Sequence, residues 1–151
     1  MRITIVAVGR QKAGPLKALE QFYAERIRWP LAIREVEERR KLPPAELKAR
    51  EGELILGTVP KNAVLAALDA RGKSLSSTDF ARRFAGWRDA DAALVFAIGG
   101  ADGLAEAVLD RAKLVLSLGA MTWPHLLARG MLLEQVYRAQ QILAGHPYHR
   151  E

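Results

Sequence analysis

The chain has 151 residues, 50% hydrophobic and 26% charged, which fits one globular domain and is too apolar for a disordered chain. It has no cysteine, which excludes a disulfide framework, a thiolate metal site and a cysteine nucleophile. Lys and Arg number 23 against 17 Asp and Glu, a formal charge of +6 that suits a polyanionic partner such as nucleic acid and equally a solvated basic surface.

Ile3 to Val8 is short, β-branched and apolar, with Gly9 behind it, and reads as a buried strand. Gly14-Pro15 opens a helix carrying Leu16, Leu19, Tyr23 and Ile27 at helical spacing, which Trp29-Pro30 stops. Leu31 to Val36 is a second strand. A charge run, Glu37 to Lys41, precedes Pro43-Pro44, and Pro44 starts a helix through about Leu56. Asn62 to Asp69 is read as a strand, with a turn expected at Ala70-Arg71-Gly72-Lys73.

Ser77-Thr78-Asp79 signals a helix start, and Phe80, Phe84 and Trp87 mark that helix's apolar face. Ala92 to Ile98 is a buried strand ending in Gly99-Gly100. Leu104 to Ala112 is a short helix, Lys113 to Leu118 a strand, and Pro124 to about Ala144 a long helix closed by Gly145-His146-Pro147. Strands alternating with helices predict an α/β fold: a mostly parallel sheet with helices on both faces, in a single domain over residues 1–151. Ligands of such sheets bind outside the carboxyl ends of the strands. No apolar run reaches the roughly 18 residues that span a bilayer. Met1 to Val8 lacks a signal peptide's longer apolar core, so a cytoplasmic protein with no membrane partner is expected.

Four constellations could carry chemistry. Ile98-Gly99-Gly100-Ala101-Asp102-Gly103 lets a ligand approach the backbone, or is simply a tight turn. Its spacing matches neither the dinucleotide fingerprint nor a Walker loop. Leu118-Gly119-Ala120-Met121-Thr122-Trp123-Pro124-His125 leads from a strand into a helix. His125 and Arg129 then lie one turn apart at the positive helix start, which suits an anion; singly, each reads as a packed or solvated residue. Tyr148-His149-Arg150 combines a phenol, an imidazole and a guanidinium, able to stack, move a proton and hold phosphate unless the terminus frays. Arg39, Arg40, Lys41, Lys48, Arg50, Arg82, Arg83 and Arg88 could supply sequence-independent phosphate contacts. No metal-ligand spacing is present. Besides an enzyme, an RNA-binding module without catalysis and a flavodoxin-like nucleotide binder fit parts of this pattern.

Taken together, Gly99-Gly100-Ala101-Asp102-Gly103, Ser117 to His125 with Arg129, Glu134-Gln135-Val136-Tyr137-Arg138-Ala139 and His146-Pro147-Tyr148-His149-Arg150 resemble the large-subunit (23S) rRNA pseudouridine N3-methyltransferases of the SPOUT superfamily. Ile5 to Gly9 and Leu68 to Lys73 fit as well, so the similarity spans nearly the whole chain. The chain departs from the family pattern at Gly119 and Trp123, where Ser and Leu or Phe are usual.

The resemblance implies a C-terminal trefoil knot, which connection rules would not suggest. It also implies S-adenosylmethionine as methyl donor, S-adenosylhomocysteine as product, and no metal. The donor would be held largely by backbone groups at Leu68, Gly100, Gly119, Ala120, Met121, Thr122, Trp123 and Pro124. A homodimer would complete the site at its interface, and the substrate would be a pseudouridine in an rRNA hairpin of the assembled ribosome. Tyr148, His149 and Arg150 would be the catalytic tail, with Tyr148 positioning the base and His149 contacting it or taking its proton. Arg150, with His125 and Arg129, would hold RNA.

Overall fold

The computed structural model describes residues 1–151. Its strands are β1 (Arg2–Val8), β2 (Leu31–Val36), β3 (Val64–Ser74), β4 (Ala93–Ile98) and β5 (Leu114–Ser117). Its helices are α1 (Pro15–Ala24), α2 (Pro44–Leu56), α3 (Ser77–Asp89), α4 (Glu106–Arg111) and α5 (His125–Leu143). The strands form one sheet in the order β2-β1-β4-β3-β5, every pair parallel. Parallel neighbours require crossovers, and α1 to α4 supply them, with α5 following β5.

Period-two alternation sorts the strand side chains between two cores. Ile3, Ile5 and Ala7 of β1 join Leu94 and Phe96 of β4 beneath α1, α3 and α5, where Phe80, Phe84, Leu132, Leu133 and Val136 are buried. Val6 and Val8 face the other way, with Leu65, Ala67, Val95 and Ala97, against Ile55 of α2 and Val108 of α4. Trp29 stacks on Phe84 at 5.2 Å, which anchors the end of α1 to α3. The helix starts follow their local chemistry. Pro sits in the first turn of α1 and α2, and the Ser76 hydroxyl accepts the Asp79 N–H to cap α3. No helix is long and apolar enough to cross a membrane.

The expected turn at Ala70–Lys73 is not a turn. β3 runs on to Ser74, and its register against β5 shifts between Leu68 and Lys73, both of which pair with Leu116. Residues 69–72 therefore form a bulge rather than a reversal. Gly72 runs so close to β5 that a Cβ there would lie 2.5 Å from the Val115 carbonyl oxygen. Glycine at that position serves close packing, although in sequence it mimics a turn signal.

Candidate active site

The bulge of β3 and the carboxyl ends of β4 and β5 open on one cleft of about 440 Å³. Its walls come from three loops: the β3 bulge (Leu68 to Arg71), the turn after β4 (Gly99 to Gly103) and the loop after β5 (Leu118 to Trp123). Of the residues expected at the donor, Leu68, Gly100, Gly119, Met121, Thr122 and Trp123 line this cleft together. Ala120 and Pro124 belong to the same loop and are exposed, Pro124 as the cap of α5.

The loop after β5 is built to stay open. Gly119 has φ +113°, a conformation that side-chain-bearing residues avoid. The Ser117 hydroxyl receives the Gly119 N–H and donates to the Gly119 carbonyl, both at 3.1 Å. The family's usual Ser at 119 is thus not needed to close this turn. Trp123 donates its indole N–H to the Leu118 carbonyl at 3.2 Å and remains half-exposed beside the cleft.

His125 lines the cleft as the first residue of α5. Burial, with the Arg129 charge, lowers its pKa, so the neutral imidazole is favoured there. Asp69 and Arg71 lie in the β3 bulge and pair with each other at 3.0 Å. Asp69 stands at the expected strand end, but its pairing with Arg71 does not show in the sequence, where the segment has the composition of a turn.

Arg129 corrects the expectation made for it. It is 1% exposed, so it is no RNA contact in this fold. Its guanidinium lies 2.6 Å from Glu35 and 3.8 Å from Glu20, and donates to the Val8 and Gly9 carbonyls at 3.1 and 3.0 Å. It thereby ties α5 to the end of β1 and to β2. Burial alone would raise the Glu35 pKa; the hydrogen bonds from Arg129 and the Gln11 N–H outweigh it and lower it. At Glu20 burial prevails over Arg129, and the pKa is raised.

The tail lies elsewhere. Tyr148 donates its hydroxyl to Glu134 at 3.0 Å and meets the Tyr137 ring edge-on at 4.8 Å. Arg138 pairs with Glu134 at 2.6 Å, reaches over the Tyr148 ring, and lies 3.1 Å from His149 Nδ1. Arginine can only donate, so Nδ1 accepts and the ring hydrogen sits on Nε2, which is enclosed without a partner. Burial, then the Glu134 hydrogen bond, holds the Tyr148 phenol well above its ordinary pKa. Glu134 and Arg138 clamp the tail to α5, a role their sequence motif does not show. Arg150 is exposed.

None of these tail residues lines the cleft of its own chain. Glu134 instead lines a second hollow of about 560 Å³ between α1, α3 and α5. Leu116, Leu118 and Gly119 border both hollows. Among the scattered bases, Arg40 and Arg50 pair with Glu38, Arg82 with Asp79, and Arg88 with Asp89. No group of three or more acidic or histidine side chains is arranged to hold a metal ion.

A family model described as "Predicted SPOUT methyltransferase" matches residues 1–149. The chain belongs to the SPOUT methyltransferase family. It is 57% identical over 151 residues to a protein of Rhodospirillum centenum named ribosomal RNA large subunit methyltransferase H, with 99% of each chain covered. A protein of the same name from Paramagnetospirillum magneticum is 52% identical, again over 99% of both. Among solved structures, a probable methylase family protein from Haemophilus influenzae superposes with TM-score 0.59 at 10% identity, over 99% of this chain and 70% of that one. The SpoU methyltransferase AviRb from Streptomyces viridochromogenes, solved with AdoMet, gives 0.51 at 15%, over 93% of this chain and 58% of that one. At such identities these likenesses speak for the fold alone.

Proposed function

We propose that this protein transfers a methyl group from S-adenosylmethionine to N3 of a pseudouridine in a helical hairpin of large-subunit (23S) rRNA, on the assembled ribosome. The observation that carries this reading is the convergence of the β3 bulge and the loops after β4 and β5 on one cleft, in a chain with full-length relatives named as large-subunit rRNA methyltransferases. Residues 1–151 act as one such domain, its donor loops forming the trefoil knot, in a cytoplasmic homodimer.

The cleft fits the donor. Leu68, Ile98 and Leu118 offer apolar surface for a purine, while the backbone at Gly100 and Gly119 is accessible for hydrogen bonds. Asp102 adds negative charge at the rim, suited to a cationic ligand. When bound, the donor supplies a methyl already activated by a positively charged sulfur. The residues of the chain then have two tasks, alignment and help with one proton. Pseudouridine N3 lies between two carbonyls, and its lone pair is available only once its proton leaves. The base must also leave its stack to be reached.

The tail supplies the substrate end. Tyr148, fixed by Glu134 and Tyr137, positions the base, and Arg150, exposed, holds phosphate. His149, its Nδ1 engaged by Arg138, contacts the base. Because the tail is fastened to α5 away from its own cleft, it serves the cleft of the neighbouring subunit. His125, inside the cleft wall, faces the donor side. The positive surface, with Lys41, Lys48 and Arg83 among its bases, follows the rRNA backbone.

Incubating the protein with labelled S-adenosylmethionine and ribosomes that lack the modification tests this. Mass mapping is expected to find one methyl per large subunit, on pseudouridine N3. Ribosome binding with neither donor binding nor methyl transfer would make it a non-catalytic RNA-binding module.

A further inference from the structure

Glu51 differs from every other acid in the interior. Glu20 and Glu35 face Arg129, Asp69 faces Arg71, and Glu134 faces Arg138. Glu51, on α2, is 8% exposed, yet no hydrogen bond reaches its carboxyl and no base lies close enough to act on it. It sits beneath the turn after β4. Its two oxygens are 3.2 and 3.5 Å from the point a Cβ on Gly100 would occupy, with Val8 Cγ1 at 3.0 Å from the same point. A Cβ at position 100 would crowd Val8 and the carboxyl, so glycine there eases the approach of the carboxyl to the loop that lines the cleft.

Asp102, in the same loop, is the charged group that acts on Glu51. From β1, the Val8 side chain approaches the same point; burial, then Arg129, lowers the pKa of His125, which lies beside Gly9. Glu51 and Asp102 thus act on each other near Gly100, with no cation of the chain acting on Glu51. Burial first, then Asp102, raises the Glu51 pKa. An unpaired carboxyl in this position costs free energy that a cation entering the cleft would return. The methyl donor carries a fixed positive charge at sulfur, and its demethylated product does not.

We propose that Glu51 is a specificity-determining residue that favours the methyl donor over the demethylated product, its carboxyl acting across Gly100 on the donor's positive charge. Once the methyl has left, that attraction ends and product release is eased. This rests on the reading of the cleft as the donor site. It adds that the site distinguishes charge states, and assigns the distinction to one side chain. The sign with pH follows. Below its raised pKa Glu51 is neutral and discriminates little; as pH rises through that value it becomes charged and preference for the donor grows.

Calorimetric titration of S-adenosylmethionine and S-adenosylhomocysteine into the wild type and Glu51→Gln, from pH 4.5 upward, tests this. Gln keeps the shape of the side chain and removes the charge. The donor is expected to bind the variant about three- to tenfold more weakly at pH 7, and the product to change by less than about twofold. The donor-to-product affinity ratio should climb with pH in the wild type and stay flat in the variant. Equal weakening of both ligands would reduce Glu51 to a packing residue, and an unchanged ratio would remove it from recognition; either overturns the proposal while leaving the donor site standing. If neither ligand binds the wild type, the donor reading fails and takes this proposal with it.

Discussion

Arg129 holds together parts of the chain that are distant in sequence. It neutralises Glu35, faces Glu20 and satisfies two carbonyls at the end of β1. Removing one partner of a buried ion pair strands the other, at a cost of about 3–5 kcal/mol. Arg129→Met should therefore lower stability by about that amount in urea unfolding, with donor binding affected only through loosening of β1. The lowered Glu35 pKa has a definite sign. Such a group stabilises the fold above its unfolded pKa, near 4.5, and the contribution is lost as pH falls through the folded value. Acid unfolding of Glu35→Gln should accordingly begin from a lower plateau and fall less steeply than that of the wild type. At Gly119, alanine would have to adopt φ +113°, a strain of about 1–3 kcal/mol, so Gly119→Ala should lose donor affinity in the same titration. The role of Arg129 was not legible in the sequence. A base one turn from His125 at a helix start reads as an anion ligand, and only packing reveals that Glu20 and Glu35, both far away in sequence, occupy it.

Among the elements, β1, β2, β4 and α2 were legible almost to the residue, because their apolar runs and prolines act locally. β3 was not. Its extension depends on pairing with β5, a long-range contact, and Asp69 to Lys73 carries the composition of a turn. The tail lay between these cases. Its side chains announced chemistry, but the clamp of Glu134 and Arg138 on α5 became visible only when the chain folded back. Glu134→Gln weakens the hold on Tyr148 and Arg138 without touching the donor cleft. Methyl transfer to ribosomes should fall at least about tenfold, as expected when a reacting constellation is misaligned, with donor affinity unchanged. Loss of donor affinity in that variant would mean that the tail, against expectation, supports its own cleft.

For the whole molecule, the alternation of strands and helices predicted a parallel sheet, but not the order β2-β1-β4-β3-β5, which crossovers set and periodicity does not encode. That order gathers the bulge of β3 and the ends of β4 and β5 into one cleft and leaves the tail outside it. If the tail completes the site, as proposed, this separation calls for a second copy of the chain. Co-expression of Gly119→Arg, which blocks the cleft and keeps the tail, with a chain lacking Tyr148 to Glu151, which keeps the cleft, separates the alternatives. Each homodimer should be inactive. If the tail serves the neighbouring cleft, random pairing restores one intact site in half of the dimers, so methyl transfer to ribosomes should return to about a quarter of the wild-type level. If the mixture stays as inactive as its parents while heterodimers are present, each tail serves its own chain and the composite site is wrong.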